Sequence, residues 1–315
     1  MVRRSLPSAP LHAFTAPAAG SGKSKLVDIA SVISTGSEAP VTAAGKDEEE
    51  LEKRLVSSLL AGDQIVAIDN VARPLDGDLL CQMLTQATVK TRILGKSETP
   101  TCTAGAFVTA TGNNLILAND LTRRSIICRL DAKMERPELR VFDRDCIALV
   151  KTRRAAYVVA VLTILRAYHA AGRPNKPTPL GSFERWSDLV RGALLWLGCD
   201  DPAETMEEIR EADPAKAQLR MIMAAWRGAF PGESVTASIL IKAATAQQGF
   251  ESAHEDLREA LLLVAGRGGT INNRALGNWL FANKGRVVDG MRIERVGDRQ
   301  GVAVWTLVRV SYGKT

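Results

Sequence analysis

Lys23 and Ser24 stand directly behind Gly20-Ser21-Gly22, and a short apolar run over residues 13–16 precedes them. Few arrangements need a lysine and a hydroxyl immediately after glycines at a strand-to-helix junction. The pattern is that of a phosphate-binding loop. Its backbone N–H groups from Gly20 to Lys23 would cradle phosphates, Lys23 would reach the β- and γ-oxygens, and the Ser24 hydroxyl would hold Mg²⁺. Pro17 stands where such loops carry their first glycine.

Three further groups follow at ordered spacing. Asp69 closes the run QIVAID, where a carboxylate would hold Mg²⁺ through water. Asn70 comes next, at a place where a glutamate base is common; an amide orients water but cannot abstract a proton. Asn113, in the Gly112-Asn113-Asn114 that ends AFVTATG, is placed to sit between a γ-phosphate and the Asp69 carboxylate. Arg123 and Arg124 precede the run SIICRL and could stabilise transferred phosphate from a neighbouring subunit.

These residues need a scaffold that gathers strand ends. The runs 64–68, 106–110 and 125–130 are short, apolar and terminated by polar residues, and helical periodicity over 48–60 lies between them. Such alternation predicts an α/β fold with a parallel sheet and helices on both faces, its ligands at the carboxyl ends of the strands. Between Asp69 and Asn113, the alternation of residues 88–94 predicts a hairpin turning at Gly95-Lys96. Its Lys90, Arg92 and Lys96 would either grip nucleic-acid phosphates or form a solvated surface.

Beyond 147 the sequence predicts a helix over 148–172, a three-proline loop or linker over 174–181, a helix over 186–197, and an acidic connection from 200 to a boundary near 214. Helices over 215–229, 236–247, 253–265 and 273–283 come next. Two strands joined at Asp289-Gly290 and a third after a loop at 297–301 close the chain. Helices ending in a basic ribbon have the layout of a winged helix. The three regions are thus 1–147, a P-loop core; 148–214, a helical segment and linker; and 215–315, a winged-helix domain. In the last, Asn273, Arg274 and Asn278 would face a major groove, and Lys284, Arg286, Arg292 and Arg299 would flank it.

Bulk properties narrow the class. Net charge is +6, and residues 267–315 hold nine Lys/Arg against three acids, which suits a nucleic-acid partner. The five cysteines form no C-x-x-C pair and the three histidines lie far apart, so zinc or disulfide frameworks are not expected and a reducing cytoplasm is. The N-terminus lacks the apolar stretch of a signal peptide. The longest apolar run, 157–165, is too short for a bilayer, so no membrane partner is expected.

Taken together, APAAGSGKSKLVDIAS, IVAIDNV, LTQATVKTRILGKS, ATGNNLILANDLTRR, CRLDAKMERPELRVF, FERWSDLVRGALLWLG and the tail RALGNWLFANKGRVVDGMRIER resemble an AAA+ ATPase of the superfamily-3 and poxvirus-type primase-helicases. The wording is similar to prophage primase-helicase C-terminal regions. That resemblance implies an ATP- and Mg²⁺-dependent DNA helicase or translocase, working as a homo-oligomeric, hexameric ring on single-stranded or forked DNA. Carried over, Gly20 to Ser24 bind nucleotide, Ser24 and Asp69 the metal, Asn113 the γ-phosphate side, and Arg123 or Arg124 the neighbour's nucleotide. The chain starts a few residues before its first strand, so a primase half and a helical collar are expected to be absent, with a primase encoded separately. The competing expectation is a DNA-binding initiator or regulator whose ATPase fold is a switch or a remnant.

Overall fold

The computed structural model describes residues 2–92, 98–248 and 251–310. They divide into two compact units, Met1–Asp213 and Pro214–Thr315. No helix among the described residues is long and apolar enough to cross a membrane.

Seven strands belong to the first unit: β1 (Leu11–Ala16), β2 (Val41–Ala43), β3 (Ile65–Asp69), β4 (Thr88–Lys90), β5 (Thr101–Thr103), β6 (Phe107–Asn113) and β7 (Ser125–Arg129). Five of them form one parallel sheet in the order β2-β3-β6-β1-β7. Strand alternation divides its apolar residues between two faces. Ile65 and Ala67 turn to one face, where Phe14, Phe107 and Val27 of α1 (Lys23–Thr35) pack with them. Val66, Ile68, Leu11, Ala13, Val108 and Ala110 turn to the other. There they meet Leu51, Leu55 and Leu59 of α2 (Glu48–Ala61) and Leu80, Met83 and Leu84 of α3 (Asp78–Thr85). Burial on both faces is why the strands read as continuous apolar runs rather than alternating ones.

The insertion between β3 and β6 forms an antiparallel pair, Thr88–Lys90 against Thr101–Thr103. It is shorter than the alternation over 88–94 predicts. Thr91 is drawn inward, its N–H donating to Pro100 O at 3.1 Å, and Lys96, with the turn expected there, lies outside the described residues.

Three other expectations change in this unit. The helix predicted over 148–172 is two, α4 (Cys146–Thr152) and α5 (Arg154–Ala170). They break at Arg153, beside the point where Arg154 caps α1 by donating to Val32 O at 2.9 Å. The helix predicted over 186–197 runs from Glu184 to Trp196 and contains a π-turn at Ser187–Arg191. Within it Arg191 is buried, paired with Asp201 at 2.6 Å and donating to Thr178 O at 2.8 Å, which ties the three-proline loop down. The acidic run after 200 is not a bare connection. It contains the helix Thr205–Glu211, whose Ile209 enters the sheet's core and whose Thr205 hydroxyl accepts from Ile127 N at 3.1 Å on the edge strand β7.

The second unit packs helices Pro214–Ala229, Ala237–Thr245, Glu255–Ala265 and Asn273–Ala282 around Trp226, Leu240, Leu261, Leu276, Leu280 and Trp305. A four-stranded antiparallel sheet closes it, with Val287–Val288, Met291–Arg299, Val302–Arg309 and Val235–Thr236 in that order. Residues 297–299, expected in a loop, extend the strand Met291–Arg299 past a bulge between Arg295 and Gly297. Asp289, at the predicted turn, receives a two-pronged contact from Arg220 at 2.8 and 3.2 Å.

On the α1 face, the His12 ring meets Phe107 at 4.8 Å, tilted by 59°, beside a cavity of about 250 Å³ that Trp186 also lines. Burial pushes its pKa down to about 4 from 6.5, with the hydrogen bond to Pro10 O opposing. A base whose folded value lies below its unfolded one stabilises the fold above the unfolded value, and that contribution is lost as pH falls toward the folded one. The first unit should therefore lose up to about 3 kcal/mol between pH 6.5 and 4 from this group. Urea unfolding at stepped pH should show a flatter slope for His12→Phe; an equal slope in both proteins would contradict the assignment.

Candidate functional site

Because β6 lies between β1 and β3, three strand ends meet on the α1 face. Register aligns Ala16 with Asn113 and Ile68 with Ala110, which puts Asp69 beside Thr111. Alternation then turns Asp69, Thr111 and Asn113 to the face where α1 begins. Lys23 Nζ donates to Asn113 Oδ1 at 2.7 Å and, more weakly, to Ala18 O at 3.4 Å. Ser24 Oγ donates to Asp69 Oδ1 at 3.2 Å. Two bonded pairs, 90 and 45 positions apart in sequence, thus start from the adjacent residues Lys23 and Ser24.

The loop that delivers Lys23 turns through left-handed backbone at Gly20 (φ 69°) and Gly22 (φ 100°), and Gly22 caps α1. Glycine takes those angles without a Cβ clash. Among the described residues, the N–H groups of Gly20, Ser21, Gly22 and Lys23 have no protein acceptor. Successive free amides at a helix start are what an anion requires. Burial lowers the Lys23 pKa, and the Asp69 carboxylate opposes that drop. Ser21 is held inside the loop by donating to Ala18 O.

Thr111 escaped the sequence reading, although its place two residues before Asn113 on an alternating strand was the available signal. Its hydroxyl donates to Asp69 Oδ1 and accepts from Asn70 N at 3.3 Å, so it fixes the carboxylate from below. Asn70 is exposed and left-handed at φ 54°. Hard oxygen donors on Ser24 and Asp69 suit Mg²⁺. Among the described residues no group of three or more His, Cys, Asp or Glu could hold a metal, so such an ion would take most of its oxygens from phosphate and water.

The two arginines part company. Arg124 is largely buried, donating to Thr85 Oγ1 at 2.7 Å, and it shares Asp120 with Arg123. Arg123 stays about half exposed. Desolvation works to raise the Asp120 carboxyl, but hydrogen bonds from both arginines outweigh it and hold the pKa below its ordinary value.

The remaining basic candidates are spread over both units. Lys90, the last residue of β4, and Arg92 just beyond it are exposed. In the second unit Arg274, Lys284 and Arg299 are exposed, with Asn273 and Asn278 on the same helix as Arg274. Arg286 donates to Asn283 Oδ1 at 3.0 Å, and Arg292 is paired with Glu294.

No family model matches the chain, and no curated protein does. Among solved structures it aligns with the A-form apo structure of the NrS-1 C-terminal region, at 13% identity and a TM-score of 0.32. That alignment spans 72% of this chain and 64% of that one. The functional reading therefore rests on the geometry of the site.

Thr111→Val should cost about 1–2 kcal/mol by leaving Asp69 and Asn70 N short of a buried partner, whereas Thr111→Ser should keep most of that stability. Denaturant midpoints of the two variants check this. Equal midpoints would show that the hydroxyl does not support the carboxylate.

Proposed function

We propose that this chain is an ATP-hydrolysing motor on DNA, a helicase or translocase of the kind that serves replication of phage or mobile elements. The observation that carries the reading is the convergence of Lys23, Ser24, Asp69 and Asn113 beneath a row of free loop amides. In this reading the amides of Gly20 to Lys23 bind the β-phosphate and Lys23 bridges to the γ-phosphate. Ser24 and Asp69 hold Mg²⁺, which neutralises charge developing on the phosphate oxygens. Asn113 orients the γ-phosphate side, and Asn70 orients the attacking water.

Arg123 is the better trans finger of the pair. It is exposed and needs only to leave Asp120, while Arg124 is engaged by Thr85 and Cys81 of its own chain. A finger supplied in trans requires a homo-oligomer, and a six-membered ring is the assembly we infer. The second unit is read as a winged helix. The helix Asn273–Ala282 would enter a DNA groove, and the hairpin of Met291–Arg299 and Val302–Arg309 would form the wing. Lys90 and Arg92 would contact the strand being moved.

One observation favours a second reading, in which ATP is a switch for a DNA-binding initiator. Where a carboxylate base would stand, the chain has Asn70, whose amide cannot take a proton. Turnover decides between the two.

DNA should stimulate ATP hydrolysis by the wild-type chain. Lys23→Ala should abolish it, and Arg123→Ala should lower it by about 10³-fold, with mixed oligomers poisoned. Arg124→Ala should act chiefly on stability. Hydrolysis that is absent in the wild type while DNA binding survives Lys23→Ala would favour the switch. DNA affinity should also fall steeply with salt, as release of counterions from phosphate demands.

A further inference from the structure

The segment that leaves β7 returns to the phosphate loop. Leu130 N still donates to Thr15 O at 2.8 Å, so the chain follows β1 as it leaves the sheet. It then forms a 3₁₀ turn, Pro137–Leu139, against the loop itself. A Cβ on Gly20 would stand 2.9 Å from both the Cβ and the amide nitrogen of Glu138, closer than real Cβ atoms approach. From the end of this turn Arg140 places Nη2 3.0 Å from Ser21 O and Nε 3.2 Å from Pro137 O. Its guanidinium lies over the Phe142 ring at 5.2 Å.

The Ser21 carbonyl belongs to the peptide whose N–H is that of Gly22. A planar trans peptide holds its C=O and N–H on opposite sides. That peptide precedes a glycine, so little steric resistance prevents it from rotating. A guanidinium gripping the carbonyl supplies the missing restraint and so holds the Gly22 N–H on the opposite side of that peptide, one of the successive amides of Gly20, Ser21, Gly22 and Lys23 that have no protein acceptor among the described residues.

We propose that Arg140 is a positioning residue for the phosphate loop: by clamping the Ser21 carbonyl it fixes the Gly22 N–H as a donor to the β-phosphate of a bound nucleotide. The inference rests on reading the loop as a nucleotide site. It gives a role to the stretch MERPELRVF that the roles assigned to Lys23, Asp69 and Asn113 leave unused. It also predicts a specific energetic signature. A donor aimed at the β-phosphate serves di- and triphosphates alike, whereas an arginine touching the γ-phosphate would serve the triphosphate alone.

Calorimetric titration with Mg·ADP and with a slowly hydrolysed Mg·ATP analogue tests it on four forms of the chain. These are wild type, Arg140→Met, Arg140→Lys and Arg136→Ala. Arg140→Met keeps the stem and removes the donors; it should weaken both nucleotides equally, by about tenfold, the scale of one lost hydrogen bond to a charged group. Arg140→Lys should recover part of that affinity. Arg136 pairs with Glu138 at 3.0 Å in the same turn without a contact to the loop, so Arg136→Ala should bind as wild type does. Melting curves should stay together for all four. A loss confined to the triphosphate, an unchanged affinity in Arg140→Met, or an equal loss in Arg136→Ala would each overturn the inference while leaving the nucleotide site standing. Failure of the wild type to bind either nucleotide would remove the site and the inference together.

Discussion

Placing β6 between β1 and β3 forces an ammonium, two amide-bearing or hydroxyl side chains and a carboxylate to share one end of one sheet face. Lys23 is partly buried there and its charge is disfavoured by desolvation, with Asp69 the nearest compensation. Asn113 takes its proton donor directly at 2.7 Å, and Ser24 reaches Asp69. Nothing in an ordinary sheet core calls for such a cluster. Polar groups gathered this way cost stability unless each finds a partner, and here the partners are one another. In the proposed reading this cluster is the receptor for an anion that brings its own metal.

Support for the cluster comes from outside it. Thr111 restrains Asp69 from β6, Thr15 on the neighbouring strand β1 accepts from Leu115 N at 2.8 Å, and Arg140 donates to the loop at Ser21 O. Each contact joins segments distant in sequence. Functional groups held by packed strands and bonded neighbours keep their geometry better than groups on free loops.

Much of this was legible in the sequence because local chemistry and periodicity agreed. The glycines before Lys23, the polar ends of the apolar runs, and the Asp289-Gly290 turn each follow from what a backbone permits at that point. The central strands of the parallel sheet follow from runs too apolar to have a wet face, whereas the edge strand β2 is three residues long and largely exposed and carries no such signal. What the sequence hid depended on distant partners. The break at Arg153 in the helix predicted over 148–172 adjoins Arg154, which reaches Val32 O, and no window of twenty residues contains both. The π-turn at Ser187–Arg191 accompanies a buried arginine whose partner, Asp201, lies beyond the helix. Arg140 reads as one more surface charge until Ser21, 119 positions earlier, is placed against it. The unequal burial of Arg123 and Arg124 was equally invisible, since it is set by Thr85.

The most direct test of the central claim is a crystal structure of the chain with Mg²⁺ and a non-hydrolysable ATP analogue. The account predicts the β-phosphate within hydrogen-bonding distance of the Gly22 and Lys23 amides, Lys23 Nζ turned to the γ-phosphate, and the metal between Ser24 and Asp69. A nucleotide bound elsewhere, or a triphosphate at the loop with its metal remote from both Ser24 and Asp69, would contradict it.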